Sequence, residues 1–244
     1  MKTKILVLLL VGIYSASLAQ ESGSVKWIAK FGAAGGFTSN IMFPDFSGIN
    51  STVNNFGIGN FEGPLITWGG GGYAYIMLID NFRIGGIGFG GSQTKDVVSA
   101  GYRKEVKYFI GGGGLTLEYT FPFIKNIAVS VGAMIGGGKV EIEFYKNKGE
   151  FNWDNIWKDF DDNSSTNRNV YHKLKNNYFS IAPTLNVDVP FNRFLAFRIG
   201  AGYLFSVAGK WTADNEQIIN NVPDNINGDT FFIQTGLFIG LFAF

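Results

Sequence analysis

His172 is the single histidine of the chain, and imidazole is the side chain best suited to move a proton near neutral pH. Ser164 and Ser165 stand upstream of it, and Asp154, Asp159, Asp161 and Asp162 lie further upstream. A serine hydroxyl becomes a nucleophile when a base takes its proton and an acid orients that base. The residue types for such a relay are present, but they are strung along 145–176, a segment with the Asn, Asp and Ser content of a solvated loop. The expectation is a solvated loop histidine and no catalytic residue. The aspartates invite a second chemistry, binding of a hard cation such as calcium. Their spacing is not that of an EF-hand loop, and no glycine stands at the turn that loop requires. The expectation is therefore a solvated acidic loop, no metal and no cofactor. The absence of cysteine excludes a disulfide framework, a thiolate zinc site and a lipid-modified N-terminal cysteine.

Five other charges stand inside apolar alternating segments: Lys30, Arg83, Glu118, Asp188 and Arg198. A charge inside a low-dielectric interior must be paired. Glu118 and Arg83 fall on neighbouring segments at similar height, and Asp188 and Arg198 flank one short turn. The reading is a salt-bridged lumen network, a plug rather than a conducting path. Tyr73, Tyr75, Met134 and Tyr178 are expected beside it in the lumen.

The elements that carry these charges follow a period of two. Phe179, Ile181, Pro183, Leu185 and Val187 alternate with Ser180, Thr184, Asn186 and Asp188. Leu195, Phe197, Ile199, Ala201, Tyr203 and Phe205 alternate with Arg198, Gly200, Gly202 and Ser206. Eight such segments can be traced, starting near Trp27, Ile66, Phe82, Val106, Ile127, Phe179, Leu195 and Thr230. Short turns are predicted at Asp80-Asn81, Pro122 to Asn126 and Pro190 to Arg193, where Pro and Asn supply turn geometry. Long loops are predicted at about 39–64, 92–102, 145–176 and 208–229. In the third of these, Phe151, Trp153, Ile156, Trp157 and Phe160 have near-helical spacing. They suit a short amphipathic helix on a membrane surface, or equally a fold over a barrel mouth. Eight strands with short turns at one end and long loops at the other predict an up-and-down barrel: all-β, eight-stranded, antiparallel and transmembrane. The second face of each strand is rich in Gly, Ser, Ala and Thr, which suits the narrow interior of an eight-stranded barrel. The apolar face then meets hydrocarbon.

Composition agrees. Of 244 residues, 20 are Lys or Arg and 19 are Asp or Glu, so a nucleic-acid binder working through a basic face is excluded. Charged residues make up 16%, against an ordinary value of about 25%, yet no apolar run after residue 24 is long enough for a spanning helix. Residues 1–19 read as a cleaved signal peptide: Lys2 and Lys4, an apolar run from Ile5 to Tyr14, then Ser17-Leu18-Ala19. The barrel domain is expected to cover 20–244.

The chain resembles the small eight-stranded outer-membrane barrels of Gram-negative bacteria, and its Gly- and Phe-rich texture is similar to the outer-membrane barrel-domain proteins of the Bacteroidota. The most specific mark is the end, Gly236-Leu237-Phe238-Ile239-Gly240-Leu241-Phe242-Ala243-Phe244. The resemblance implies localisation in the outer membrane, contact with its lipid and lipopolysaccharide, and an assembly signal at Phe242 and Phe244 read by the barrel-assembly machinery. No peptidoglycan-binding domain is expected after the barrel, which excludes the two-domain variant of that family. Two orientations of the last strand stay open, because the face carrying Ile233, Leu237, Ile239 and Leu241 is more uniformly aliphatic than the Phe face. Two enzyme families share this barrel size, lipid A deacylases and palmitoyltransferases, but His172-Lys173-Leu174 does not reproduce the deacylase His-x-Ser spacing. The expected function is a non-enzymatic barrel with a structural, adhesion or surface-ligand role. A narrow pore or carrier for small apolar molecules, or a component of a secretion machine, are the alternatives.

Overall fold

The computed structural model describes residues 31–76, 78–122, 127–148, 153 and 169–243. Eight long antiparallel strands form the wall: β1 (Phe31–Pro44), β2 (Leu65–Tyr75), β3 (Phe82–Ser99), β4 (Tyr102–Thr120), β5 (Ala128–Asn147), β6 (Val170–Pro190), β7 (Leu195–Ala208) and β10 (Thr230–Ala243). Each pairs with its neighbours in sequence, and β10 returns to β1, with Phe31 opposite Ala243 and Pro44 opposite Thr230. The sheet therefore closes and leaves no edge. A small hairpin of β8 (Thr212–Ala213) and β9 (Gln217–Ile218) is laid on β6. One helix, α1 (Ser47–Val53), follows β1 and runs into a 3-10 turn at Asn54–Phe56. No helix among the described residues is long and apolar enough to cross a membrane.

Alternation decides which side chain meets which medium. Phe37, Trp68, Ile84, Leu115, Leu117, Ile135, Ile181, Leu185, Ile199 and Ile239 are exposed on the outside of the wall. Thr38, Asn40, Thr67, Tyr73, Arg83, Glu118, Ser180, Asn186 and Arg198 are buried inside it. An apolar outer band around a polar interior is the pattern of a barrel in hydrocarbon. The last strand resolves its two orientations in favour of the aliphatic face: Leu237, Ile239 and Leu241 are exposed, while Phe238 is buried in the lumen.

Glycine allows the wall to pinch. Gly112 and Gly114 of β4 stand opposite Gly138 and Gly136 of β5. A Cβ on Gly136 would collide with the carbonyl oxygen of Gly113 and the Cα of Gly114. A Cβ on Gly138 would collide with the Tyr178 ring, whose hydroxyl donates to the Gly111 carbonyl at 3.2 Å. The missing side chains thus admit Tyr178 to the interior and let the backbones approach.

Three expected loops prove to be partly ladder. Residues 92–102 are not a loop: β3 and β4 stay paired up to Ser99 opposite Tyr102, joined by Ala100 and Gly101 at φ 51° and 76°, a two-residue turn with both central residues left-handed. β5 continues to Asn147 and β6 starts at Val170, so His172 lies in a strand rather than in a loop. β1 runs on to Pro44 before α1 begins. The physical reason is a change of sides. On the membrane part of β4, β5 and β6 the apolar residues face out. On the extension the outward positions are Lys107, Lys139, Glu141, Glu143 and Lys173, and the inward positions are Val106, Tyr108, Val140, Ile142 and Leu174. Charge reads as loop in a membrane barrel, whereas here it is the wet outer face of strands that have left the bilayer.

Candidate functional site

Four of the five expected lumen charges meet at the short-turn end. Arg83 is one residue into β3 and stands opposite Glu118 of β4; Asp188 of β6 stands opposite Arg198 of β7. The two pairs then join across the lumen. Arg83 reaches Glu118 and Asp188, each at 2.6 Å; Arg198 reaches Glu118 at 2.9 Å and Asp188 at 2.6 Å. Every carboxylate thus touches both guanidinium groups, and the set is neutral in sum. The Asn186 amide donates to Glu118 at 3.1 Å, and the Ser130 hydroxyl accepts from Arg83. Aromatic rings complete the shell: the Arg83 guanidinium lies 4.5 Å from the Tyr73 ring centre and 5.7 Å from that of Tyr75, and Arg198 lies 4.7 Å from Tyr73 and 5.0 Å from Phe238. Cross-strand pairing was readable from residue order. The cross-lumen bonds and the parts of Ser130, Asn186 and Phe238 were not, because they depend on barrel closure. Lys30, the fifth expected charge, and Phe244 lie outside the described residues, and Phe242 is placed in β10 opposite Gly32.

Beyond the charges is a small cavity of about 40 Å³ beside Asn40, Glu118, Met134, Arg198, Gln234 and Phe238, room for a few waters. Above it the interior turns apolar. Met42, Met134, Ala182, Tyr178 and Leu204 give way to Tyr108, Ile110 and Val140. Phe46 packs edge-on to Tyr108, with ring centres 5.2 Å apart, and Phe61 lies beside both.

The mouth is roofed by the segments after β1 and β7. The Asp45 carboxylate accepts the Ser47 N–H at 2.8 Å, and hydrogen bonding from Ser47, its side chain first and its N–H second, holds this carboxyl below the usual range. The Asn50 side chain both donates to and accepts from the backbone of Phe61, at 2.9 and 2.8 Å, and fixes the return of the loop. The Asn225 amide donates to the Ser47 hydroxyl at 2.7 Å and joins the two roof segments. Between roof and extended wall lies a cavity of about 590 Å³, lined by Val53, Ile142, Phe144, Leu174, Trp211 and Ile219 among others. Its size falls in the range of small-molecule sites, about 300–1,000 Å³. Nothing in the sequence marks it, because its walls come from five separate segments.

His172 faces Phe144 in the ladder, ring centres 5.3 Å apart, and its Nδ1 lies 2.7 Å from the Asp214 carboxylate. The same carboxylate accepts the Lys173 N–H at 3.0 Å, and the Asp214 N–H donates to the Lys173 carbonyl. This latches the β8–β9 hairpin onto β6. No serine or threonine hydroxyl among the described residues bonds the ring; Ser164, Ser165 and the four aspartates of the expected acidic loop lie outside them. The His172 contact, then the Lys173 N–H, hold the Asp214 carboxyl below its ordinary value of 3.8. A depressed carboxyl stabilises the folded form above the ordinary value and loses that contribution as pH falls below it. The latch should therefore hold at neutral pH and open only in acid. Asp214 has φ 44°, which asparagine tolerates, so Asp214→Asn should leave the barrel intact and speed amide exchange at Lys173 and Asp214 at neutral pH. Unchanged exchange would show that the charge does not hold the latch.

An antiparallel eight-stranded barrel with an apolar outer band and a polar, charge-paired interior belongs to the class of transmembrane β-barrels. No protein-family model matches the sequence, and no curated protein matches it. Among solved structures the chain is similar to Ail, the attachment invasion locus protein of Yersinia pestis, in complex with the heparin analogue sucrose octasulfate. The identity is 8%, over 86% of this chain and 97% of that one, with a TM-score of 0.41. It is similar also to the outer membrane protein OprG of Pseudomonas aeruginosa, with 13% identity over 87% and 96% and a TM-score of 0.40. A major outer membrane protein from Thermus thermophilus gives 8% identity over 86% and 98% and a TM-score of 0.43.

Proposed function

We propose that residues 1–19 are removed as a signal peptide and that residues 20–244 form an outer-membrane barrel holding a small apolar molecule at its extracellular mouth. Membership of the Bacteroidota-type barrel family, assembly through Phe242 and Phe244 by the barrel-assembly machinery, and a surround of lipid and lipopolysaccharide belong to the same reading. The observation that carries it is the cavity of about 590 Å³ under the roof, whose walls are largely aliphatic and aromatic. A surface built only for rigidity would fill such a space with side chains. The charge cluster closes the periplasmic end of the lumen, so the mouth is a binding chamber and not the vestibule of a pore. A carrier role is favoured by one further feature. A second cavity of about 360 Å³ touches Phe89, Gly112 and Gly138 of the inner face and Phe109, Gly111, Lys139 and Asn177 of the outer face, where the glycine-rich wall is thinnest.

The test is uptake of N-phenylnaphthylamine by barrels in lipid nanodiscs, measured against empty nanodiscs. A saturable fluorescence increase is expected with the native chain. Val222→Trp, which fills the chamber from the roof, should weaken it by about tenfold, roughly 1.4 kcal/mol. A signal that never exceeds that of empty nanodiscs, or one indifferent to the filling residue, overturns the reading.

A further inference from the structure

The charges on the extended wall are distributed unevenly between its two faces. On the outward face most are matched: Arg103 lies near Asp96 and Glu105, Lys107 near Glu143, Lys139 against Glu141, and Lys173 against Glu141 and Glu143, while Lys175 stands opposite the carboxylate residue Glu141 without a salt bridge among the described residues. On the inward face two lysines stand directly opposite one another, Lys104 of β4 and Lys146 of β5. Like charges directly opposite on one sheet face repel and cost stability, so the pair is not explained by the fold. Neither makes a salt bridge among the described residues. The Lys104 ammonium donates to the Phe56 carbonyl at 3.4 Å, and the Lys146 ammonium sits over the Tyr102 ring at 4.6 Å, with Lys148 over the same ring at 5.2 Å. Both Lys104 and Lys146 line the chamber, and the residues next below them on the same face are Val106 and Phe144. The one carboxylate residue in the lining, Glu105, is held 3.3 Å from Arg103.

An apolar chamber under an unmatched cationic rim fits one kind of molecule. We infer that the ligand is a single-chain anionic amphiphile, its hydrocarbon tail in the chamber and its carboxylate or phosphate head between Lys104 and Lys146. This rests on the chamber being a ligand site and adds the charge of what it takes. The head supplies the negative charge that relieves the Lys104–Lys146 repulsion. The tail removes the apolar lining from water, worth about 25 cal/mol per Å² buried. Lysine suits the head as a compact point charge and leaves the choice between carboxylate and phosphate open.

The experiment is displacement of the same fluorophore from native barrels in nanodiscs of zwitterionic lipid, corrected for lipid alone. The competitors are dodecanoate, dodecyl phosphate, dodecanol and dodecyltrimethylammonium. Dodecanoate or dodecyl phosphate should displace at least about tenfold more tightly than dodecanol, the trimethylammonium least, and added salt should erode the anion advantage. Lys104→Gln/Lys146→Gln should abolish that advantage and leave dodecanol unchanged, whereas Lys104→Arg/Lys146→Arg should retain it. A heat-shifted gel band checks that each variant is folded. Tighter binding of the phosphate assigns the head to a phospholipid source, and tighter binding of the carboxylate to a fatty acid. Equal binding of dodecanol and both anions, or a Gln variant that weakens all competitors alike, overturns the inference and leaves the chamber as an apolar site. Displacement by none of the four overturns both.

Discussion

Arg198→Ala should lower the stability of the barrel by about 3–5 kcal/mol, the cost of breaking a buried ion pair from one side. Arg198 is 5% exposed and touches both Glu118 and Asp188. Its removal leaves two carboxylates with one guanidinium, Arg83, in a space walled by Tyr73 and Phe238. A net negative charge is then stranded where little water reaches it. The measurement is the urea midpoint for loss of the heat-resistant gel band in detergent. The pairing explanation also makes a second demand. Removing Asp188 together with Arg198 restores neutrality, so the double variant should lose less than the two single losses added. Strict additivity would mean that the side chains act through volume and not through charge. The same variant tests closure of the lumen. Native barrels should show little steady conductance in planar bilayers, and Arg198→Ala should raise it, because the guanidinium occupies the passage between Tyr73 and Phe238. Large stable channels from the native chain would move pore formation ahead of surface binding.

Gly136→Val should be as damaging by a different route. Gly136 faces Gly114 across the β4–β5 ladder, and a Cβ there meets the backbone of Gly113 and Gly114. Backbone cannot rotate away as a flexible side chain can. Overpacking of an interior typically costs about 1–3 kcal/mol, and a β-branched side chain against main chain belongs at the upper end. The ladder above and below Gly136 would have to part, taking with it the place of Tyr178. We expect refolded Gly136→Val to lack the heat-shifted band, while Gly88→Ala keeps it, since a Cβ there meets only the Gly112 carbonyl oxygen at 3.9 Å. Equal behaviour of the two variants would remove the close-approach argument.

The wall was legible in the sequence because period-two alternation with apolar residues on one side is a local signal. Phe179 to Asp188 and Leu195 to Ser206 needed no partner to declare themselves strands. The upper ladders were not legible, because their alternation persists with the polarity exchanged. Val106 read as a membrane residue and Lys173 as loop, when both belong to a part of the wall that stands in water. The charge cluster was half legible. Strand neighbours such as Arg83 and Glu118 follow from the order of segments, but the bonds from Arg83 to Asp188 and from Arg198 to Glu118 exist only once β10 has met β1. The chamber was not legible, since α1, β4 to β6 and the segment after β7 each contribute a few side chains with no common motif. The orientation of the last strand was left open by the sequence, because both of its faces are apolar. Its Phe238 faces inward against Tyr73, where the aliphatic residues beside it meet the outer medium.

The lengths of the strands make the mouth lopsided. β3 to β6 span 18 to 21 residues each, whereas β1, β2, β7 and β10 span 11 to 14. The chamber thus has a rigid back, made of continuous hydrogen-bonded ladder, and a front made of a two-turn helix, a 3-10 turn and a hairpin of two-residue strands. Those front pieces are pinned by a handful of side-chain contacts at Asp45, Asn50, Asp214 and Asn225. Segments held in that way open at far lower free energy than ladder does. In the proposed binding reading, traffic into the chamber is therefore a property of its front, with a rate set by how often a few surface bonds let go, while the choice of head-group charge is set by the back, where Lys104 and Lys146 stand.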